Sequence, residues 1–168
     1  MMIPIDDDIR RYFVNICRDF SDIGMIVIDP DRTESVQISF PKELEDRFGY
    51  QNQFATVQYM GDSRKKPYAF KHFEIRFYAR ALRAAGLLPF IEARTSLRDH
   101  KSNGGGDKEY YVYADITWYS DFETNVKPIL TDMAQHLAET AGPAYNDLPR
   151  PDLPTTLIEL PRVKKAGR

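Results

Sequence analysis

The chain has 168 residues, of which 42% are hydrophobic and 12% aromatic, and its formal net charge is −2. This composition excludes a chain that is disordered throughout, and the length suits a single domain with its own core. The near-neutral charge gives no whole-molecule argument for binding nucleic acid or membranes, so any such site must be a local patch.

The single cysteine, Cys17, excludes an intrachain disulfide and a multi-cysteine zinc site, which fits a reducing cytoplasm. Its place in a helical pattern favours a core residue over a nucleophile. The acidic run 6–8 stands where a signal peptide would be basic. No apolar run reaches the roughly 18 residues of a membrane span. We therefore expect a cytoplasmic protein that has no membrane partner.

The N-terminal part, residues 1–52, has the pattern of an αββα unit. Apolar residues recur at helical spacing in the first segment, and Gly24 is expected to end that helix. Two strands are predicted on either side of a Pro-Asp turn, and the second one alternates between apolar and polar residues. A proline at the first position predicts the second helix. The predicted elements are helix, strand, strand and helix over residues 6–21, 25–29, 34–40 and 41–48.

The pattern of residues 53–160 predicts the element order βαββα, and a last strand would complete the order βαββαβ. A basic tail follows at 161–168. Its predicted elements are strand 54–60, helix 69–85, strand 88–96, strand 109–119, helix 120–141 and strand 155–161. A helix kink or start is expected at Pro128, and Ser120 with Glu123 has capping-box spacing. Residues 62–67 and 98–108 are predicted to be loops, the second one mobile.

These elements predict an α+β fold with a mostly antiparallel sheet and helices packed on one face. The βαββαβ order makes the C-terminal two-thirds ferredoxin-like. The chain can also be divided into two αββαβ units, residues 6–60 and residues 69–160. A duplication of one such unit is therefore the alternative to the ferredoxin-like fold.

Strict alternation in strand 109–119 predicts two different faces. The core face carries the residues from Tyr110 to Trp118 at even positions, and the open face carries the remaining tyrosines. Together with the preceding strand and loop, this predicts a binding surface of Phe90, Arg94, Tyr111, Tyr113, Tyr119, Arg98, His100, Lys101 and Lys108.

Three interpretations of the tyrosine face remain open: a protein interface, a platform for single-stranded nucleic acid, or a face covered by another segment. The stretch KEYYVYADI resembles the third-strand motif of the RNA-recognition-motif family, which implies base stacking. The glycines of that motif are missing, and Glu109 and Asp115 would repel phosphate. The turn GGDKEY is similar to the turn of diguanylate-cyclase-type domains, but an inserted Lys108 departs from it.

A basic patch is predicted on the 69–85 helix and the loop before it. Its residues are Arg64, Lys65, Lys66, His72, Arg76, Arg80 and Arg83. The patch suits an acidic partner or a phosphate backbone, whereas the alternative is a solvated helix face. The three histidines lack metal-ligand spacing, so neither a metal nor another cofactor is expected.

The absence of nucleophile-elbow, phosphate-loop and dinucleotide motifs favours a non-catalytic function. We expect a binding or inhibitory protein that acts through a protein–protein interface, such as an accessory protein of a phage or other mobile element. Single-stranded nucleic-acid binding through the tyrosine face is the first alternative, and a small-molecule sensor is the second. Self-association is compatible with the separated acidic and basic segments.

Overall fold

Helices and antiparallel strands combine in an α+β fold. The structure is a computed structural model that describes residues 7–28, 35–48, 53–62, 69–93, 98–101 and 109–158. In chain order, the elements are α1 (Asp7–Asp22), β1 (Ile26–Ile28), β2 (Ser35–Ser39), α2 (Lys42–Phe48), β3 (Gln53–Asp62), β4 (Ala69–Tyr78), α3 (Ala79–Ala84), α4 (Leu88–Glu92), β5 (Arg98–Lys101), β6 (Glu109–Ile116), α5 (Tyr119–Asp121), a π-helix (Phe122–Val126), α6 (Lys127–Thr140), α7 (Pro143–Asn146) and α8 (Thr155–Ile158).

The strands of the described residues form one sheet in the order β1-β2-β3-β4-β6-β5. Each neighbouring pair is antiparallel. The pairing of β3 with β4 is the longest, and it runs from Ala55 opposite Phe77 to Asp62 opposite Ala69. The predicted antiparallel sheet is therefore confirmed.

Helix α1 packs on one face of the sheet through its phenylalanines. The Phe13 ring lies 5.4 Å from Tyr59 and 6.0 Å from Phe73, and the Phe20 ring lies 5.9 Å from Phe54. All these side chains are buried. Edge-to-face and offset contacts of this kind stabilise a core beyond the area that they bury. The predicted helix 6–21 is confirmed, and so is the core position of Cys17.

Gly24 ends α1 because the chain there needs a backbone conformation that other residues rarely adopt. Its φ is +90°, and the Gly24 amide donates to the Ser21 carbonyl oxygen at 2.9 Å. A Cβ at this position would lie 3.3 Å from a ring carbon of Tyr145. Both the positive φ and this close approach favour glycine.

The predicted helix 69–85 is wrong over most of its length, because residues 69–78 form strand β4. Phe73, Ile75 and Phe77 are buried, while Lys71 and Arg76 are not. The segment thus alternates at strand period, although its aromatic residues also fit a helical stripe. Pairing with β3 selects the strand, and only Ala79–Ala84 is helical.

Two predicted strands are also helical. Residues 88–92 of the predicted strand 88–96 form α4, with Pro89 in its first turn, and residues 155–158 of the predicted strand 155–161 form α8. A short apolar run fits either a strand or a buried helical turn. A proline at or just before the first turn favours the helical turn, so it was the more specific signal in these two segments.

The ferredoxin-like order and the duplication are not found in the described residues. A βαββαβ order needs a helix between its first two strands, but β3 pairs directly with β4 as an antiparallel neighbour. The second proposed αββαβ unit would begin with a helix where β4 is found. The N-terminal elements, in contrast, match their predicted order.

The predicted helix 120–141 is confirmed as a helical segment with an internal irregularity. It contains α5, the π-helix and α6, and Pro128 lies in the first turn of α6. Proline lacks an N–H, so a position where a helix restarts tolerates it. The predicted capping box is wrong, since Trp118 occupies the N-cap position and makes no side-chain cap hydrogen bond.

Phe77→Ala is expected to lower the free energy of unfolding by about 3–5 kcal/mol, because it leaves a cavity among fully buried rings. Urea denaturation followed by circular dichroism measures this loss. Lys71→Ala, on the same strand but exposed, is the control and should change stability by less than about 0.5 kcal/mol. Equal losses for both variants would contradict the placement of β4.

Candidate functional site: an aromatic groove

An open groove of about 690 Å³ lies where the first turns of α1 meet the end of β6. Its walls are mostly aromatic, and carboxylates and hydroxyls line its rim. The lining residues are Asp8, Ile9, Tyr12, Phe70, Phe73, Thr117, Trp118, Tyr119, Ser120 and Glu123. We call this surface the aromatic groove.

Trp118 is the most prominent side chain of the groove, with 71% of its surface exposed. Strand β6 ends at Ile116, which is fully buried, and the chain then turns so that Trp118 precedes helix α5. The prediction of a core position for Trp118 is therefore wrong, since strand alternation does not continue past Ile116. A large exposed indole beside other aromatic rings is a feature of binding surfaces.

Stacked rings hold the wall next to Trp118. The rings of Tyr12 and Tyr119 are 5.0 Å apart and nearly parallel, at 7°. Tyr119 also stacks on the buried Phe122, with centroids 5.8 Å apart. A ring fixed on two sides loses little conformational entropy when a ligand covers it, so this wall is preorganised for contact.

Carboxylates give the Tyr119 side of the groove a negative electrostatic environment. Partial burial is the main cause that raises the pKa of Tyr119 to about 12, and Asp19 and Glu123 raise it further. Both carboxylates disfavour the phenolate because they are like charges. The Tyr119 hydroxyl therefore stays protonated at physiological pH and is available as a hydrogen-bond donor.

Asp19 lies beneath this wall and is largely buried. Its Oδ1 is 3.8 Å from Lys127 Nζ, and its buried Oδ2 has no hydrogen-bond partner in the described structure. Desolvation raises the Asp19 pKa above 3.8, Lys127 opposes this shift, and Asp22 and Glu123 add to it. A buried carboxylate with one oxygen unsatisfied costs free energy.

The backbone register of β6 departs from simple strand alternation. Tyr111 pairs with Phe77 and Tyr113 with Ile75, whereas Ile116 pairs with Phe73. These three partners on β4 are buried. The register shifts between Phe73 and Ile75, and a bulge of this kind changes the phase of the alternation. The assignment of Tyr111 and Tyr113 to an open face stays a prediction, because their side chains lie outside the described part of the structure.

Two of the predicted surface residues have described side chains, and these two have different surroundings. Phe90 lies on α4 and packs against the core, with its ring 5.4 Å from that of His136. Tyr119 lines the groove, whereas Phe90 is not one of the described lining residues. Arg98, His100 and Lys101 belong to strand β5, which pairs with β6 at the sheet edge, so the loop prediction is wrong for residues 98–101. Arg94 and Lys108 lie outside the described residues, as does the glycine turn.

The predicted basic patch is not a single helix stripe. His72 and Arg76 lie on β4, where His72 is buried and Arg76 Nε donates to Glu74 Oε1 at 2.5 Å. Arg80 and Arg83 are exposed on α3. The remaining members, Arg64, Lys65 and Lys66, lie outside the described residues. The stripe prediction was wrong because it depended on a helix where β4 is found.

The sheet face away from α1 carries half-buried polar side chains that bond to one another. Thr56 Oγ1 lies 2.6 Å from the Tyr78 hydroxyl, and Gln58 Nε2 donates to Glu74 Oε1 at 3.1 Å. Arg76 shares the same Glu74 oxygen. These hydrogen bonds pair the polar groups of Thr56, Gln58, Glu74, Arg76 and Tyr78 with one another within the face.

Sequence reasoning missed the groove because its lining comes from three distant segments of the chain. A local signal existed for one residue, since Trp118 stands between the end of a strand and the start of a helix. Aromatic residues at such junctions are not obliged to continue the strand alternation. The proximity of Tyr12 and Phe70 to Trp118 required the tertiary structure.

Within the described residues, no group of histidine, cysteine and carboxylate side chains is arranged to hold a metal ion. No helix there is both long and apolar enough to cross a membrane. Comparison of the chain with protein-family models, with curated proteins and with solved structures gives no match. The geometry of the groove is therefore the basis for a functional proposal.

Asp19→Asn is expected to change how stability depends on pH. Because the Asp19 pKa is raised in the folded state, folding favours the protonated carboxyl, and wild-type stability falls as the pH rises above 3.8 through the folded-state pKa. The variant lacks this loss. Its stability relative to wild type should increase across that interval and then stay constant up to about pH 7.

Urea unfolding of both proteins from about pH 3 to about pH 7 measures this difference. Circular dichroism is the appropriate probe, since Trp118 is already exposed in the folded state. Thr124→Ala, which changes an exposed side chain without a titratable group, is the control and should show a pH-independent difference from wild type. A stability difference for Asp19→Asn that shrinks toward neutral pH would show that the ion pair with Lys127 dominates.

Proposed function

We propose that this protein is a non-catalytic binding protein that acts through a protein–protein interface centred on the aromatic groove. The observation that carries the proposal is the 71% exposure of Trp118 next to the stacked pair Tyr12–Tyr119. Tryptophan and tyrosine are enriched among the residues that dominate interface energies. The proposal includes inhibition of the partner protein, which is how an accessory protein of a phage or other mobile element would act.

The magnitude of apolar burial supports a role for Trp118. A tryptophan side chain buries on the order of 200 Å² when fully covered. With 71% of that surface exposed, covering Trp118 would remove about 140 Å² from water. At roughly 25 cal/mol per Å², the transfer contributes about 3.5 kcal/mol before the costs of association. A contribution of this size is typical of an interface hot spot.

The groove supports a protein partner better than single-stranded nucleic acid. Base stacking on Trp118 or Tyr12 would bring phosphates toward Asp8 and Glu123, which line the same groove. The negative carboxylates would repel the negative phosphates. Platforms that bind nucleic acid place Lys or Arg near the phosphates instead.

A small-molecule sensor is the second candidate, and the size of the groove favours it. A volume of about 690 Å³ lies within the range of ligand pockets, about 300–1,000 Å³. Such pockets usually enclose their ligand, whereas here the largest aromatic side chain, Trp118, is mainly exposed at the rim. The two candidates differ in whether the bound species is a macromolecule.

Trp118→Ala is expected to weaken capture of the partner by about tenfold or more, since it removes the exposed anchor. Affinity capture from the source organism, quantified by mass spectrometry for wild type and variant in parallel, measures the loss. Ile28→Ala is the matched control, because Ile28 is an exposed apolar residue on β1 that does not line the groove.

The expected pattern is a set of proteins retained by wild type and Ile28→Ala but lost from Trp118→Ala. Circular dichroism of the variants should be unchanged, because an exposed side chain contributes little to stability. A partner that binds Trp118→Ala as well as wild type would refute the groove as the interface. Binding of only a small molecule, detected by native mass spectrometry of the purified protein, would favour the sensor instead.

A further inference from the structure

The aromatic groove carries two acidic side chains, Asp8 and Glu123, and none of its described lining residues is Lys, Arg or His. Both carboxylates are exposed at the rim. Within the described residues, Asp8 forms one ion pair, with Arg11 at 3.2 Å. Both side chains are more than half exposed. A surface pair of this kind is weak and exchangeable, so it leaves the rim able to accept another cation.

Helix dipoles do not account for the acidic character of the groove. The groove lies near two helix starts, at α1 and α5, and carboxylates in first turns stabilise such starts. Each helix start is equivalent to only about half a positive charge, whereas each carboxylate carries a full negative charge. Asp19 and Asp121 lie near the same helical segment and add negative charge to its surroundings. The carboxylates therefore outweigh the dipoles.

The rim already shows the contact that a cation would make with these rings. The guanidinium carbon of Arg11 lies 5.4 Å from the centroid of the Tyr12 ring, within cation–π distance. Tryptophan attracts cations more strongly than tyrosine does, and the indole of Trp118 is largely uncovered. An exposed indole and a carboxylate in one groove complement a planar cation that can stack on the ring and donate hydrogen bonds to the carboxylate.

We infer that the groove receives an arginine side chain of the partner protein, with the guanidinium stacked on Trp118 and hydrogen-bonded to Glu123. This inference rests on the proposed function and specifies the chemistry of the partner. Arginine fits better than lysine, because its planar group stacks on aromatic rings while its fork of N–H donors reaches a carboxylate. Glu123 is the principal acceptor, since Asp8 is shared with Arg11.

The test uses the single tryptophan of the chain, since Trp118 reports on the groove without any label. The full-length protein is titrated with an end-capped hexapeptide, Gly-Ser-Arg-Arg-Ser-Gly, and Trp118 emission is recorded. A peptide with citrulline in place of both arginines keeps the shape and removes the charge. A lysine peptide keeps the charge and removes the planar group.

We expect a saturable change in emission with the arginine peptide, weaker binding of the lysine peptide and no saturable change with citrulline. Glu123→Gln should weaken arginine binding by about fivefold, the loss of roughly one charge-assisted hydrogen bond at an exposed site. Asp8→Asn should have a smaller effect. Glu92→Gln, an exposed carboxylate on α4 outside the groove, is the matched control and should bind as wild type does.

Equal affinities for the arginine and citrulline peptides, or unchanged binding by Glu123→Gln, would overturn the inference. So would a shift of Trp118 emission on removal of residues 161–168 without peptide, because the basic tail of the same chain would then occupy the groove. If Trp118→Ala loses its protein partner but Glu123→Gln does not, the protein interface stands and the arginine inference fails. A partner retained by Trp118→Ala would instead refute the proposed function itself.

Discussion

The antiparallel pairing of β3 with β4 is the interaction on which the rest of the structure depends. It places Val57 opposite Ile75 and Tyr59 opposite Phe73, on the face where the Phe13 ring of α1 contacts Tyr59 and Phe73. The same register places Gln58 and Glu74 on the other face, where they bond to each other. One pairing therefore creates both the apolar face that α1 covers and a polar face whose side chains satisfy one another.

The aromatic groove follows from where α1 and β6 stand on that sheet. Phe13 anchors the helix on β3 and β4, and the adjacent Tyr12 consequently projects to the side, where it meets Tyr119. Strand β6 ends at Ile116, which is buried against the core, so the next residues leave the sheet at the same end. Trp118 is thereby held beside the tyrosines and remains exposed.

Asp19 shows that the surroundings of the groove are not optimised for stability alone. Its carboxylate is mostly buried with one oxygen unsatisfied, and Asp22 and Glu123 add repulsion. Lys127 compensates this only in part, since it lies 3.8 Å away and is half exposed. Proteins often retain such costs at binding sites, where electrostatic character serves the partner rather than the fold. A negative rim suited to a cationic side chain is consistent with that pattern.

Short-range patterns in the sequence determined the elements of the N-terminal part. The stripe of α1, the strand alternation of β2 and the glycine that ends α1 are local properties, and all three are visible in the sequence. The buried position of Cys17 followed from the same stripe. These features depend on residues within one or two turns of one another, so the sequence alone was sufficient.

Only the tertiary structure decided the second part of the chain and the site. Residues 69–78 carry aromatic residues that suit a helix or a strand, and pairing with the distant β3 selected the strand. A bulge where β6 pairs with β4 shifts the register of the two strands, which simple alternation cannot anticipate. The groove joins Tyr12 to Trp118 across most of the chain. Such non-local contacts outweigh local propensity because burial and sheet pairing contribute more free energy than intrinsic preferences do.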